Sequence, residues 1–192
     1  MPKVVTVAKS SVQHCQEGQQ YKLESGGCEC SYSCRFSWNI MEIQKKLASK
    51  SITLYSPPFY TAGKNGGYKM CLFLYLDGDG SGKGTHLSFY IAVMKGEHDG
   101  QLMWPFQQEV TLTLEDQNHQ RHNITHCFKP DPAEYNSSFQ RPSTHSEMNV
   151  AFGFPKFAPL TVLDNPSYVK DDVLRLHCII DIIIPCIGLN II

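Results

Sequence analysis

Residues 67–94 read GYKMCLFLYLDGDGSGKGTHLSFYIAVM. Two apolar runs, MCLFLYL (70–76) and LSFYIAVM (87–94), flank a glycine-rich DGDGSGKGTH (77–86), and the role of that middle piece decides the fold. A nucleotide loop of the form G-x-x-x-x-G-K-[ST] fails, because Gly82-Lys83 would put its first glycine at Asp77 and its hydroxyl at Gly84. No helical pattern follows that could hold a phosphate at its N-terminus. A calcium loop fits better at first, with Asp77, Asp79, Ser81 and Gly82 at positions one, three, five and six. Its twelfth position, which should be a bidentate glutamate, is Ser88, and both flanks read as strands. The stretch is therefore a bend between two strands, with glycines supplying the backbone freedom that such bends need.

The same strand character extends outward in both directions. RFSWNI (35–40), SITLYS (51–56), YKMCLFLYL (68–76), THLSFYIAVM (85–94) and EVTLTLED (109–116) are rich in β-branched and aromatic residues. HNITHCF (122–128), APLTVLD (158–164) and DVLRLHCIID (172–181) continue the series. Alternation assigns faces: Val110, Leu112 and Leu114 lie opposite Thr111 and Thr113, and Leu174, Leu176, Cys178 and Ile180 lie opposite Arg175 and His177. One short, mostly exposed helix is expected in MEIQKKLASK (41–50). The pattern predicts an all-β domain, an antiparallel sandwich of seven to eight strands, over residues 34–182. Residues 1–33, polar and rich in Gly and Cys, are expected to be an irregular extension, and residues 183–192 an apolar tail.

Composition narrows the function. The 192 residues are 42% hydrophobic and 18% charged, with 17 basic against 18 acidic side chains and a net charge of −1. Nucleic-acid binding needs clustered Lys and Arg to displace counterions, and no such block occurs. The opening MPKVVTVAKSSVQHC lacks the apolar run of a secretory signal. The closing CIIDIIIPCIGLNII is apolar but broken by Asp181, Pro185 and Asn190, short of the ~20 residues of a membrane-spanning helix. A cytoplasmic location without membrane insertion, and with reduced thiols, is expected.

Chemical motifs are sparse. His14, Cys15, Cys28, Cys30 and Cys34 crowd the N-terminal stretch as zinc candidates, but a second clean C-x₂₋₄-C pair is missing. Cys71, Cys127 and Cys178 lie in apolar or strand-like surroundings, where a thiol behaves as a small core residue. The histidines are scattered, and no nucleophile elbow, H-E-x-x-H or Cys-His signature is present. The chain is read as a non-enzyme without cofactor.

LYSPPFYT (54–61), GYKMCLFLYLDGDGSGKGTHLS (67–88), VMKGEHD (93–99), WPFQQEVTLTLEDQ (104–117), FKPDP (128–132), SSFQRP (137–142), EMN (147–149) and YVKDD (168–172) are ordered matches to one family. From about Phe36 to Asp181 the chain closely resembles the C-terminal TRAF, or MATH, domain of the tumour-necrosis-factor-receptor-associated factors. The resemblance implies a β-sandwich in a cytoplasmic signalling adaptor. It would bind short extended peptides, from tails of TNF-receptor-type receptors or from adaptors, by strand addition, with a homotrimer supplying avidity. The coiled coil on which that trimer normally depends has no counterpart before Trp38. A substrate-recognition domain of a ubiquitin ligase or protease system, and a structural module without peptide binding, are the alternatives.

Carried over residue by residue, the resemblance places the peptide groove at Tyr75, Asp79, Phe89 or Tyr90, Phe128, Phe139 and the polar run Asn136, Ser137 and Ser138. Two departures stand out. The family's strand Arg, which helps Tyr75 grip an acidic peptide residue, falls on Phe73, and its ASGCP segment reads AFGFP, with Phe152, Gly153 and Phe154. Removing a cation removes a charge-assisted hydrogen bond, so the groove is expected to favour apolar or aromatic peptide side chains over the family's Gln and Glu. If instead Phe73 and Phe152 pack on each other, the groove no longer binds.

Overall fold

The computed structural model describes residues 12–13, 18–24, 27–49, 53–63, 66–118, 122–134 and 136–185, with side chains described between 32 and 183. Its strands are β1 (Val12–Gln13), β2 (Gly18–Glu24), β3 (Gly27–Met41), β4 (Thr53–Tyr55), β5 (Phe59–Tyr60), β6 (Lys69–Tyr75), β7 (His86–Met94), β8 (Glu109–Leu114), β9 (Ile124–Phe128), β10 (Phe152–Pro159), β11 (Val169–Lys170) and β12 (Val173–Pro185), with one helix, α1 (Ile43–Ala48), after β3. They form two antiparallel sheets. One runs β10-β7-β6-β4, with β5 also on β6; the other runs β1-β3-β12-β8-β9, with β2 on β3 and β11 on β12.

Alternation builds the core between them. Leu72, Leu74, Phe89, Ile91 and Val93 from the first sheet meet Trp38, Ile40, Leu112, Leu176 and Ile180 from the second, all buried. Removing such apolar surface from water supplies the main favourable free energy, about 1.5–3 kcal/mol per fully buried large side chain. β6 is buried along both faces, which explains why MCLFLYL reads as an unbroken apolar run rather than an alternating one.

Three expectations are corrected. APLTVLD is not a strand: β10 begins earlier, at Phe152, ends at Pro159, and gives way to a 3-10 turn over Leu160–Asp164 that drops Val162 and Leu163 into the core. β10 hid from sequence reading because Pro155 sits within it. Proline is tolerated there because, among the described residues, β10 pairs on one side only, with β7, and carries a register shift between Phe154 and Ala158. Second, residues 18–24 and 27–33, expected to be irregular, are strand, paired from Gly18 with Ser33 to Glu24 with Gly27. Third, the apolar tail does not start as a separate piece, since β12 continues through Pro185 opposite Glu29.

The helix lies inside its expected span, but its cap is supplied from afar. Glu42 takes a left-handed conformation, and Asp172 accepts the Gln44 N–H with its carboxylate at 2.9 Å and the Ile43 N–H with its carbonyl at 3.2 Å. A helix of this length is marginal alone and is held by that contact and by buried Ile43.

Candidate peptide-binding face

The outer face of the β10-β7-β6-β4 sheet is assembled by register. One cross-strand row runs Tyr55, Phe73, Tyr90 and Gly153; a second pairs Tyr75 with Thr53 on one side and Ser88 on the other. Cys71, Phe73 and Ala92 form a small buried cluster on this face, with Tyr55, Tyr75, Tyr90, Met94, Met148 and Ala151 packed against it. Phe73 is only 7% exposed, its ring 4.7 Å from Tyr55 at 64°. Edge-to-face pairs of this kind add to burial through ring quadrupoles.

The glycine-rich turn closes one end of the face. Gly80–Gly82 make one turn of 3-10 helix, Lys83 pairs with Asp77 at 2.7 Å, and the Gly84 N–H donates to the Asp77 carbonyl at 2.8 Å. Ser88 ties the turn to the sheet edge: its hydroxyl accepts the Asp79 N–H at 2.7 Å and donates to the Pro155 carbonyl at 2.6 Å. Asp79 itself is exposed. Burial raises Tyr75 above the ordinary tyrosine value, with the Asp79 carboxylate and then Tyr55 adding to it. Tyr90 is raised for the same first two reasons.

The remaining positions divide. Phe152 and Phe154 point away from the outer face into an aromatic seam between β10 and β9, the adjacent edges of the two sheets. Phe152 lies 4.8 Å from Phe128 and 5.0 Å from Phe139, and Phe154 lies 4.9 Å from His126. Phe73 and Phe152 therefore belong to different clusters, and the ring contacts of each are with other partners. Gly153, between the two phenylalanines, sits against β7 so closely that a Cβ would fall 2.3 Å from the Phe89 carbonyl oxygen.

Of the alternatives Phe89 and Tyr90, Tyr90 belongs to the outer face, whereas Phe89 is fully buried in the core and presents no surface. Phe139 is also core, at 4% exposure, and Phe128 is half-buried. Ser137 is exposed, Asn136 half-buried and Ser138 buried. Their loop is held by Asn149, whose side-chain N–H₂ donates to the carbonyls of Ser138 and Gln140. Tyr55 was missed, although alternation within SITLYS sets it opposite the inward Leu54, which is the signal that could have found it.

His14 and Cys15 lie outside the described residues, as do the side chains of Cys28 and Cys30. Cys34 is a core residue, 3% exposed, its thiol directed at the Tyr60 carbonyl. No cluster of metal-ligating side chains occurs among the described residues. Sequence reading also missed a hydrogen-bonded chain on the opposite sheet. The Ser37 hydroxyl lies 2.9 Å from His177 Nδ1, and His177 Nε2 lies 2.7 Å from Glu115 Oε2. It has the composition of a catalytic triad, but Ser37 and His177 are ladder partners in the middle of a sheet, where backbone amides are engaged by neighbouring strands. A polar row on a wet face accounts for it.

Two antiparallel sheets, one with a polar outer face and one with an aromatic face running to a one-sided edge strand, define a β-sandwich domain. The chain belongs to the TRAF/meprin, MATH domain family, whose model matches residues 51–177. It is 48% identical over 159 residues to the mouse TNF receptor-associated factor 1, covering 80% of this chain and 37% of that protein. It is 42% identical over 170 residues to the mouse TNF receptor-associated factor 5, covering 85% and 29% respectively. The chain thus spans about a third of the length of these curated relatives. Among solved structures, the TRAF5 of Notothenia coriiceps superimposes with a TM-score of 0.67 at 37% identity, covering 82% of this chain and 76% of that one.

Proposed function

We propose that this domain is the recognition part of a receptor-signalling adaptor, and that it binds an extended peptide of a receptor or adaptor tail along the edge of β10. The observation that carries this reading is the placement of Tyr75 and Tyr90, with Asp79 in the adjoining turn, on a face whose last strand, among the described residues, pairs on one side only. An edge strand offers main-chain donors and acceptors in a row, and adjoining side chains add selectivity. Gly153 leaves the β10 end of the Tyr55–Phe73–Tyr90 row without a side chain, so an added strand can approach Tyr90. The names of the relatives, TNF receptor-associated factors, support receptor tails as the source of the peptide.

The aromatic seam under Phe152 and Phe154 favours apolar or aromatic peptide side chains next to β10 over glutamine, because no hydroxyl replaces the expected serine at Phe152. A cytoplasmic setting and a homotrimeric whole protein belong to the same reading.

A peptide array of receptor-tail segments, probed with the wild-type chain and Tyr75→Ala, tests the assignment. Binding that weakens with Tyr75→Ala supports it. Binding left intact by Tyr75→Ala and by Tyr90→Ala places the site elsewhere.

A further inference from the structure

Tyr75 and Tyr90 stand on neighbouring strands with ring centroids 5.7 Å apart and planes at 80°. Nearly perpendicular rings make two walls of a corner. The third wall is a charge: Asp79 is exposed in the glycine-rich turn, its amide bonded at 2.7 Å to the hydroxyl of Ser88, the ladder partner of Tyr75, and its carboxylate faces both tyrosines.

Among the described residues, nothing neutralises that carboxylate with a full positive charge. Lys83 is engaged by Asp77 at 2.7 Å. Lys69, further along β6, stands 5.9 Å over the ring of Tyr60. Lys156, exposed in the β10 irregularity, forms no ion pair with Asp79. Phe73, the side chain between Tyr55 and Tyr90, contributes no charge.

Ring faces, phenolic oxygens and a carboxylate all present negative potential to an incoming group. A second carboxylate would be repelled. A purely apolar group would desolvate Asp79 without adding a charged partner to the Tyr90 hydroxyl it already meets. A cation pairs with the acid and meets the rings at once, and Lys69 over Tyr60 shows an ammonium in that relation to a tyrosine in this sheet.

We propose that the corner formed by Tyr75, Tyr90 and Asp79 receives a cationic side chain, lysine or arginine, of an extended basic peptide. This rests on the peptide-binding reading above and names the chemistry of its ligand.

The test is a positional-scanning library of soluble fluorescent decapeptides, read by polarisation with the wild-type chain and Asp79→Asn. That variant keeps the backbone N–H that bonds Ser88, so the turn is retained. One library position should select lysine and arginine. Replacing the selected lysine by norleucine, or arginine by citrulline, should weaken binding roughly tenfold. Asp79→Asn should weaken the cationic peptide by a similar factor, leave the norleucine peptide unchanged, and reduce the salt dependence of binding. Selection of Glu, Asp or aromatic residues there, or of no charge at any position, overturns the inference while leaving peptide binding intact. A wild-type chain that binds no peptide in the library overturns both.

Discussion

The hydroxyl of Ser88 donates to the carbonyl of Pro155 at 2.6 Å and thereby ties β7 to the point where β10 breaks register. The same oxygen accepts the Asp79 N–H, so one buried side chain couples the glycine-rich turn, the middle of the sheet and the edge strand.

Replacing Ser88 by alanine removes both bonds and leaves an amide and a carbonyl without that partner. The expected cost is about 1–3 kcal/mol of unfolding free energy, together with faster hydrogen exchange at the Asp79 amide. Denaturant unfolding and amide exchange measure the two effects. Unchanged exchange at Asp79 would show that the turn is held by other means.

Two glycines of the turn separate sterics from backbone conformation. A Cβ on Gly82 would lie 1.8 Å from the Pro155 carbonyl oxygen, whereas one on Gly80 meets nothing within 4 Å but sits at a φ of +51°. Gly82→Ala should cost at least about 2 kcal/mol, because the backbone of β10 has to move. Gly80→Ala should cost only about 1 kcal/mol, the strain of a left-handed non-glycine residue. Thermal or denaturant unfolding of the two variants ranks them.

Phe73 and Tyr75 lie on the same face of β6 but differ in burial. Phe73→Ala opens a cavity in the outer cluster and should destabilise by about 3 kcal/mol. Tyr75→Ala, at a half-exposed strand end, should cost about 1 kcal/mol while weakening peptide binding more strongly. Equal destabilisation by both would make Tyr75 a packing residue.

Tyr68 packs edge-on against Trp104 and Phe106 and donates its hydroxyl proton to the Met103 carbonyl. Burial, with Tyr32 nearby, pushes it up to about 12 from an ordinary value of 10.0. The unfolded chain therefore loses this proton before the folded one does. The stability linked to Tyr68 is complete below pH 10 and is lost as pH rises toward 12. Denaturation midpoints should fall more steeply over that range in the wild type than in Tyr68→Phe, and parallel curves would contradict the assignment.

Alternation and turn composition were enough to locate β6, β7, β8 and β12, because each buries one whole face or both and repeats its apolar residues accordingly. The bend at DGDGSGKGTH was legible for a related reason: motif spacing matches neither a phosphate loop nor a complete calcium loop. The positions of Tyr75 and Tyr90 on one face also follow from sequence once the register of β6 against β7 is known.

Other features depend on residues far apart in the chain. β10 escaped notice because Pro155 breaks the strand pattern, and only its position at a sheet edge makes that proline acceptable. The α1 cap comes from Asp172, and the link from turn to edge comes from Ser88 and Pro155, contacts that no local spacing encodes. The resemblance sets both Phe73 and Phe152 at one groove, yet β10 turns Phe152 into the seam while β6 turns Phe73 onto the outer face. Local periodicity determined which residues are strand and which side of a strand is apolar. Tertiary packing alone decided which aromatic groups meet, because a side chain's neighbours across a sandwich are set by sheet order, register and twist rather than by distance along the chain.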